Sequence, residues 1–280
     1  MSGSTVITPT APPVPDQAAA PAMGARVWAQ LGERPRLVRT ASALSFIAAW
    51  QVGSMTGFLD ERFYSSPTAV AAAGAELFTG TDMLPHVVTT GTELLVGYGL
   101  GVVAAVLVGF VLGYYRVIGT LADPVVMALY VTPRLAIYPV LVIWFGLGLG
   151  SKIVMVFLGT FFMVLINTIS GVKDVDPSLI RAARSFMAPR SFILRKVMIP
   201  GAIPSIMTGL RQGFSQAIIA VITAEMFVSL SGMGNLISTY GQAMRTDALL
   251  FLVLLVSSFA YLAIRGLSAV ERRLSSWRPS

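Results

Sequence analysis

Four charged residues interrupt otherwise long apolar stretches: Glu93, Arg134, Arg211 and Glu225. A charge in the hydrocarbon core of a bilayer costs roughly 2.5–3.5 kcal/mol on insertion scales, so each requires a partner or a task. Arg134 follows Pro133 and precedes Pro139, which predicts a broken helix whose freed backbone groups line a cavity. Two readings of Arg134 stand. It is a cation set beside an anionic solute, or a structural charge held in an ion pair or snorkelling to the interface. Arg211 reads as half of a structural pair, and Gln212, Ser215 and Gln216 after it are positioned to face a pore. Glu93 and Glu225, toward the ends of their stretches, suit a gate or pairing with basic groups. Asn167 suits a hydrogen bond between helices.

Other chemistry is excluded by what the chain lacks. It has no cysteine and a single histidine, His86, which rules out disulfides, thiolate nucleophiles and an unaided zinc site. His86 reads as a surface residue rather than a general base. No serine or threonine is visibly paired with a base. There is no phosphate loop of the G-x-x-x-x-G-K-[ST] type. The nearest approach, Gly150-Ser151-Lys152, lacks the rest of the motif, so ATP is not bound by that route. No cofactor and no catalytic residue is expected, and any energy must come from a partner.

The elements that must position these residues are membrane helices. Of 280 residues, 55% are hydrophobic and only 12% charged, against about 25% charged in soluble domains. Six apolar stretches reach or approach the roughly 20 residues needed to cross a bilayer. They run about Leu37–Gly57, Val87–Tyr115, Pro124–Leu147, Lys152–Gly171, Ile203–Val228 and Ala248–Leu267. The net charge of +7 is not a nucleic-acid footprint, because the basic residues lie between spans. With the N-terminus inside, the inner side takes fifteen of the twenty Lys and Arg residues, and the outer side only Arg62, Lys152 and Arg245. That asymmetry predicts N-in, C-in and an even number of crossings. The expected organisation is a disordered tail over 1–36, a first span and outer loop over 37–86, a core over 87–270, and a tail over 271–280. The second span carries Gly97, Gly101, Ala105, Gly109 and Gly113 on one stripe. This is either an internal packing ridge or a seam between subunits.

The inner connection over 173–204 is the longest and most basic. Asp176-Pro177 reads as a helix start, with Asp capping free amides and Pro at the first helical position. Leu179, Ala183 and Phe186 then share a face, with Ile180 and Met187 beside it and Arg181 and Arg184 elsewhere. Such an amphipathic helix lies on lipid or docks in a partner's groove.

Arg181-Ala182-Ala183, with Val197, Ile199 and Pro200, resembles the cytoplasmic "EAA" loop of permease subunits in binding-protein-dependent ABC importers. Thr132–Pro139, Ile143–Gly146, Gly159–Phe162, Ile166–Thr168, Ile199–Ile206, Ala224-Glu225 and Ser231–Gly234 resemble the nitrate, sulfonate and taurine branch. The resemblance covers about Val87 to Tyr261. It implies an all-α membrane protein with a type I importer permease fold, in a bacterial inner membrane. It also implies three partners: a second permease subunit, a cytoplasmic ATP-binding subunit and an extracytoplasmic solute-binding protein. The coupling candidates are then Asp176, Leu179, Arg181, Ala182, Ala183, Phe186 and Met187. The pathway candidates are Arg134, Tyr138, Asn167, Arg211, Ser215, Gln216 and Glu225. Two positions depart from the family pattern: Arg181 stands where Glu is usual, and Met187 where Gly is usual. The implied cargo is a small anion such as an aliphatic sulfonate, taurine or nitrate. Thiamine-precursor or riboflavin-like compounds are the alternative cargo, and an ion-coupled secondary transporter is the alternative class.

Overall fold

The computed structural model describes residues 35–80, 83–227 and 229–274, and these are helical with no strand among them. The chain divides into two compact units, 1–53 and 54–280. Most of the expected N-terminal tail lies outside the described residues, but Pro35 and Arg36 already belong to helix α1, Pro35–Met55. Its 21 residues span about 31 Å at 1.5 Å per residue. Leu37, Leu44, Phe46 and Ile47 along it are exposed.

The second unit begins with a correction. The segment expected as an outer loop holds two helices, α2 (Glu61–Tyr64) and α3 (Pro67–Gly80). Ser66 Oγ accepts from the Ala69 amide at 3.2 Å, and Pro67 takes the first helical position, a start that suits an alanine-rich run. Val70, Ala73, Gly74 and Leu77 are buried. Ala73 and Leu77 join a cluster with Leu236, Ile237, Ala248 and Leu252.

Helices α4 (Met83–Tyr114), α5 (Arg116–Val131), α6 (Arg134–Phe145) and α7 (Leu149–Lys173) follow. Then come α8 (Pro177–Ser185), α9 (Arg190–Ile193) and a π-helical turn over Leu194–Met198. That turn runs into α10 (Ile199–Phe227), and α11 (Met233–Gln242) and α12 (Thr246–Leu274) complete the unit. Among the described residues, α4, α7 and α12 are long and apolar enough to cross a membrane. The α5–α6 pair makes a fourth if it is one span. The helix pair in the region expected as a span over Pro124–Leu147 starts earlier, at Arg116, and is bent by 90°. Pro133 explains the break: it lacks an amide proton, and its ring forces Thr132 out of helical geometry, to ψ 128°. Helix α12 extends through 271–274, so the expected tail begins inside it. Helix α11 had no counterpart among the expected elements.

Helix α7 is the centre of the bundle, packed along α4 on one side and α10 on the other. The small-residue stripe of α4 is an internal ridge. Gly97, Gly101, Gly109 and Gly113 abut Val156, Thr160, Thr168 and Val172 of α7, leaving no room for a Cβ without displacement.

Candidate functional site

Near the Lys152 end of α7, charge is buried and paired. Lys152, expected at the outer start of a span, is 3% exposed. Its Nζ donates to Glu93 Oε1 at 2.7 Å and to Ser229 Oγ at 2.8 Å. Glu225 accepts from Thr90 Oγ1 at 2.6 Å and from the Gly234 amide at 2.7 Å. His86 is not the free surface group its position suggested, since the Gly232 amide donates to its Nδ1 at 3.0 Å. The Met233 amide donates to Thr90 Oγ1 at 2.8 Å. These bonds hold the start of α11 against α4 and α10. A Cβ at Gly232, where φ is +107°, would collide with the Glu225 carboxylate, so glycine is required there twice over.

Midway along the bundle the picture changes. Two neighbouring cavities, of about 330 and 470 Å³, share Gln216. The first is lined by Thr132, Arg134, Leu135, Met155 and Thr223 among others. The second is lined by Tyr130, Asn167, Gln212 and Ser215 among others. The break at Thr132-Pro133 starts α6 at Arg134 and so places the guanidinium at the first cavity. Arg134 Nη1 donates to Gln216 Oε1 at 3.2 Å, and its guanidinium lies over the Tyr130 ring at 5.9 Å. Its Nε is buried without a hydrogen-bond partner. Among the described residues, no carboxylate lines either cavity. Asn167 Nδ2 donates to Gln212 Oε1 at 3.0 Å, joining α7 to α10, and Ser215 Oγ donates to the Arg211 carbonyl at 3.2 Å.

Of the pathway candidates, Arg134, Asn167, Ser215 and Gln216 therefore line this paired cavity. The other three lie elsewhere. Tyr138 is 2% exposed in the core with Leu94 and Met155. Arg211 is ion-paired with Glu271 and donates to Thr208 Oγ1 at 3.2 Å. Glu225 belongs to the bonds around α11. Sequence reasoning missed Tyr130 and Thr223, which carry no charge or motif to mark them, and placed Thr132 in a family-like segment without assigning it to the pathway.

At the opposite end of α7 stands α8. Asp176 Oδ1 accepts from the Ser178 amide at 2.7 Å. That bond, with a lesser pull from Arg181, holds the carboxyl below its ordinary range. The expected single apolar face is split by the surroundings. Ile180 and Ala183 turn inward onto Val172, Ile193, Met198 and Ala202. Leu179, Phe186 and Met187 turn outward, at 56%, 87% and 93% exposure, with Arg181 and Ala182 also exposed. Met187 sits at φ +55°, the left-handed geometry that glycine adopts without strain. Its amide donates to the Arg184 carbonyl at 2.9 Å, ending the helix.

A helical chain with several membrane-length apolar helices, a mid-bundle cavity lined by Arg134 and Gln216, no phosphate loop and an exposed amphipathic helix after α7 has the features of the permease subunits the sequence resembles. Residues 97–276 match the family of binding-protein-dependent transport system inner membrane components, and the chain belongs to that family. It is 33% identical to the taurine transport system permease protein of Escherichia coli, over 73% of this chain and 74% of that one. It is 30% identical to a putative aliphatic sulfonates transport permease protein of the same organism, over 85% and 90%. A putative ABC transporter permease protein of Methanocaldococcus jannaschii is 37% identical over 72% and 76%. The fold is similar to that of a chain in an inward-facing structure of the MetNI methionine ABC transporter. The TM-score is 0.57 at 22% identity, covering 69% of this chain and 95% of that chain. The protein is thus a multi-pass membrane permease that forms the translocation pathway of an ABC importer, rather than an ion-coupled carrier.

Proposed function

We propose that this permease passes a small organic anion of the sulfonate or taurine type across a bacterial inner membrane. The observation that carries this is Arg134. Its guanidinium donates to the neutral amide of Gln216, and among the described residues no carboxylate lines its cavity. The guanidinium therefore keeps its full charge for a solute, and its planar fork matches a sulfonate's oxygens. The relatives named for taurine and aliphatic sulfonates support the same cargo.

In this reading the six crossings are α1, α4, the bent α5–α6 pair, α7, α10 and α12, with both termini cytoplasmic. Helix α8 seats against a cytoplasmic ATP-binding subunit through Leu179, Phe186 and Met187, capped by Asp176 and flanked by Arg181, Ala182 and Ala183. A second permease subunit completes the pore, and an extracytoplasmic binding protein delivers solute to the His86 end. The chain has no cysteine, so single cysteines placed in α3 and α8 report sidedness directly by impermeant labelling.

The test is uptake of labelled taurine and of an alkanesulfonate into proteoliposomes holding the whole importer. A unit charge at about 5 Å and an effective dielectric near 20 contributes roughly 3 kcal/mol. Arg134→Gln is therefore expected to slow uptake at least about tenfold, with the ATP-binding subunit still co-purifying. Uptake at the parent rate would show that the charge serves only packing.

A further inference from the structure

We infer that the cavity between the ends of α4 and α7 and the start of α8 binds a phosphate-bearing anion. This cavity, of about 820 Å³, is separate from the pair midway along the bundle. Arg116, Lys173, Arg181, Arg184 and Arg190 all line it, with no acidic residue among the lining groups. The five cations come from four different elements: α5, α7, α8 and α9. All five are exposed along the cavity's walls, and the fold brings them together from separate elements rather than from one run of sequence.

Three other cations of the chain have carboxylate partners. Lys152 is paired with Glu93, Arg211 with Glu271, and Arg245 with Glu76 and Asp247. Among the described residues, none of the five cavity cations is in such an ion pair. Asp176 attracts Arg181 from nearby, but its carboxylate is engaged by the Ser178 amide. Five like charges around one concavity repel one another, and an anion with several acceptor oxygens relieves that repulsion through charge-assisted hydrogen bonds.

The shape narrows the occupant. The volume is that of a small-molecule or headgroup site, too small for a folded partner to enter. Its floor is apolar: Val172, Ile193 and Met198 are buried there. Tyr114, the last residue of a membrane-length helix, lies at its rim. A polar mouth over an apolar floor at the end of membrane helices fits the phosphodiester of an anionic lipid. A soluble phosphate compound offers the same oxygens without the acyl chains. That the cavity faces the cytoplasm rests on the orientation proposed above, but occupancy does not, since binding in detergent is measured without regard to sidedness or transport.

The experiment uses the intact importer in a zwitterionic detergent. Native mass spectrometry compares retention of phosphatidylglycerol with phosphatidylcholine. A thermal-shift titration with inorganic phosphate, at constant ionic strength, forms the second arm. Preferential phosphatidylglycerol retention assigns the site to a lipid headgroup. A saturable phosphate shift without lipid preference assigns it to a soluble phosphate compound. In either case Arg116→Gln/Lys173→Gln/Arg190→Gln is expected to weaken binding roughly ten- to hundredfold, from about 1 kcal/mol per basic group near a membrane surface. Should that variant fail to assemble, Lys173→Gln and Arg190→Gln singly are each expected to weaken binding about threefold or more. The inference is overturned if neither probe binds in preference to its control, or if binding survives these substitutions unchanged.

Discussion

Removing the Lys152 ammonium is expected to damage the fold more than removing its partner Glu93. The pair is 2.7 Å apart, with side chains 4% and 0% exposed. At an effective dielectric of 20, Coulomb attraction at that distance is about 6 kcal/mol. Desolvation of the two ions offsets several kcal/mol each, so the intact pair contributes little net stability. Breaking it is a different matter. Lys152→Met leaves Glu93 buried and uncompensated beside the buried Glu225. It also removes the donor to Ser229. That is expected to cost about 3–5 kcal/mol, limited by the carboxyl's option of taking up a proton. Glu93→Gln keeps an oxygen acceptor for the ammonium, which also keeps its bond to Ser229, so about 1–2 kcal/mol is expected. Lys152→Met with Glu93→Leu removes both charges and is expected to lie within about 1–2 kcal/mol of the parent. Denaturant unfolding of the purified importer in micelles, run as a double-mutant cycle, measures the coupling. A Lys152→Met variant within about 1 kcal/mol of the parent, or one less damaged than Glu93→Gln, would refute the account.

Three further outcomes follow from the same geometry. Gly101→Leu places a Cβ 2.8 Å from Thr160 Cβ and is expected to cost about 1–3 kcal/mol. Gly99→Leu, with nothing within 4 Å, is expected to be near neutral; equal unfolding midpoints would dismiss the internal-ridge reading. Met187→Gly is expected to stabilise α8 by about 0.5–1 kcal/mol, the left-handed strain at φ +55° less the entropy of glycine. Slower amide exchange over 178–186 is the measurement, and faster exchange contradicts it. Leu179→Ser with Phe186→Ser is expected to weaken capture of the ATP-binding subunit roughly thirtyfold or more. Membrane insertion should be unaffected, because both side chains point away from the bundle, and undiminished capture would place the docking surface elsewhere.

What the sequence made legible was local backbone chemistry. Asp176-Pro177 starts a helix because a carboxylate and an imide ring satisfy the first turn wherever they occur. Pro133 breaks the chain for the same kind of reason. The spacing of four along α4 marked its contact ridge, though α7 as the facing helix was not visible. What stayed hidden depends on distant partners. Lys152 and Glu93 are separated by 59 residues, so a lysine beside a predicted outer edge gave no sign of burial. Glu271, placed in a tail, is the counter-ion of Arg211. Leu179, Ala183 and Phe186 share a helical period, yet only the packing of 172–206 decides that Ala183 turns in while the others turn out. Helix α11 begins inside Ser231–Gly234, a segment the sequence marked only by its family resemblance, with no sign of the helix that starts there.

Charge compensation along the bundle sorts the ionic groups by role. At the His86 end every enclosed charge has a counter-charge or a backbone donor, as expected of groups that hold α11 in place. Arg211 is likewise matched by Glu271. Arg134 alone lines a mid-bundle cavity with only an amide and an aromatic face beside it. A pathway needs this asymmetry. A fully paired arginine would have to lose its partner before meeting a solute, and that cost of several kcal/mol would recur in every cycle. A guanidinium held by neutral groups is already positioned, and the energy of meeting an anion is released on arrival. The pairing therefore predicts a signature that a structural arginine would lack. Arg134→Lys, which keeps the charge but loses the fork, should retain transport better than Arg134→Gln while discriminating less sharply among planar carboxylates, sulfonates and nitrate. If lysine and glutamine variants transport equally, charge is not what this cavity offers its cargo.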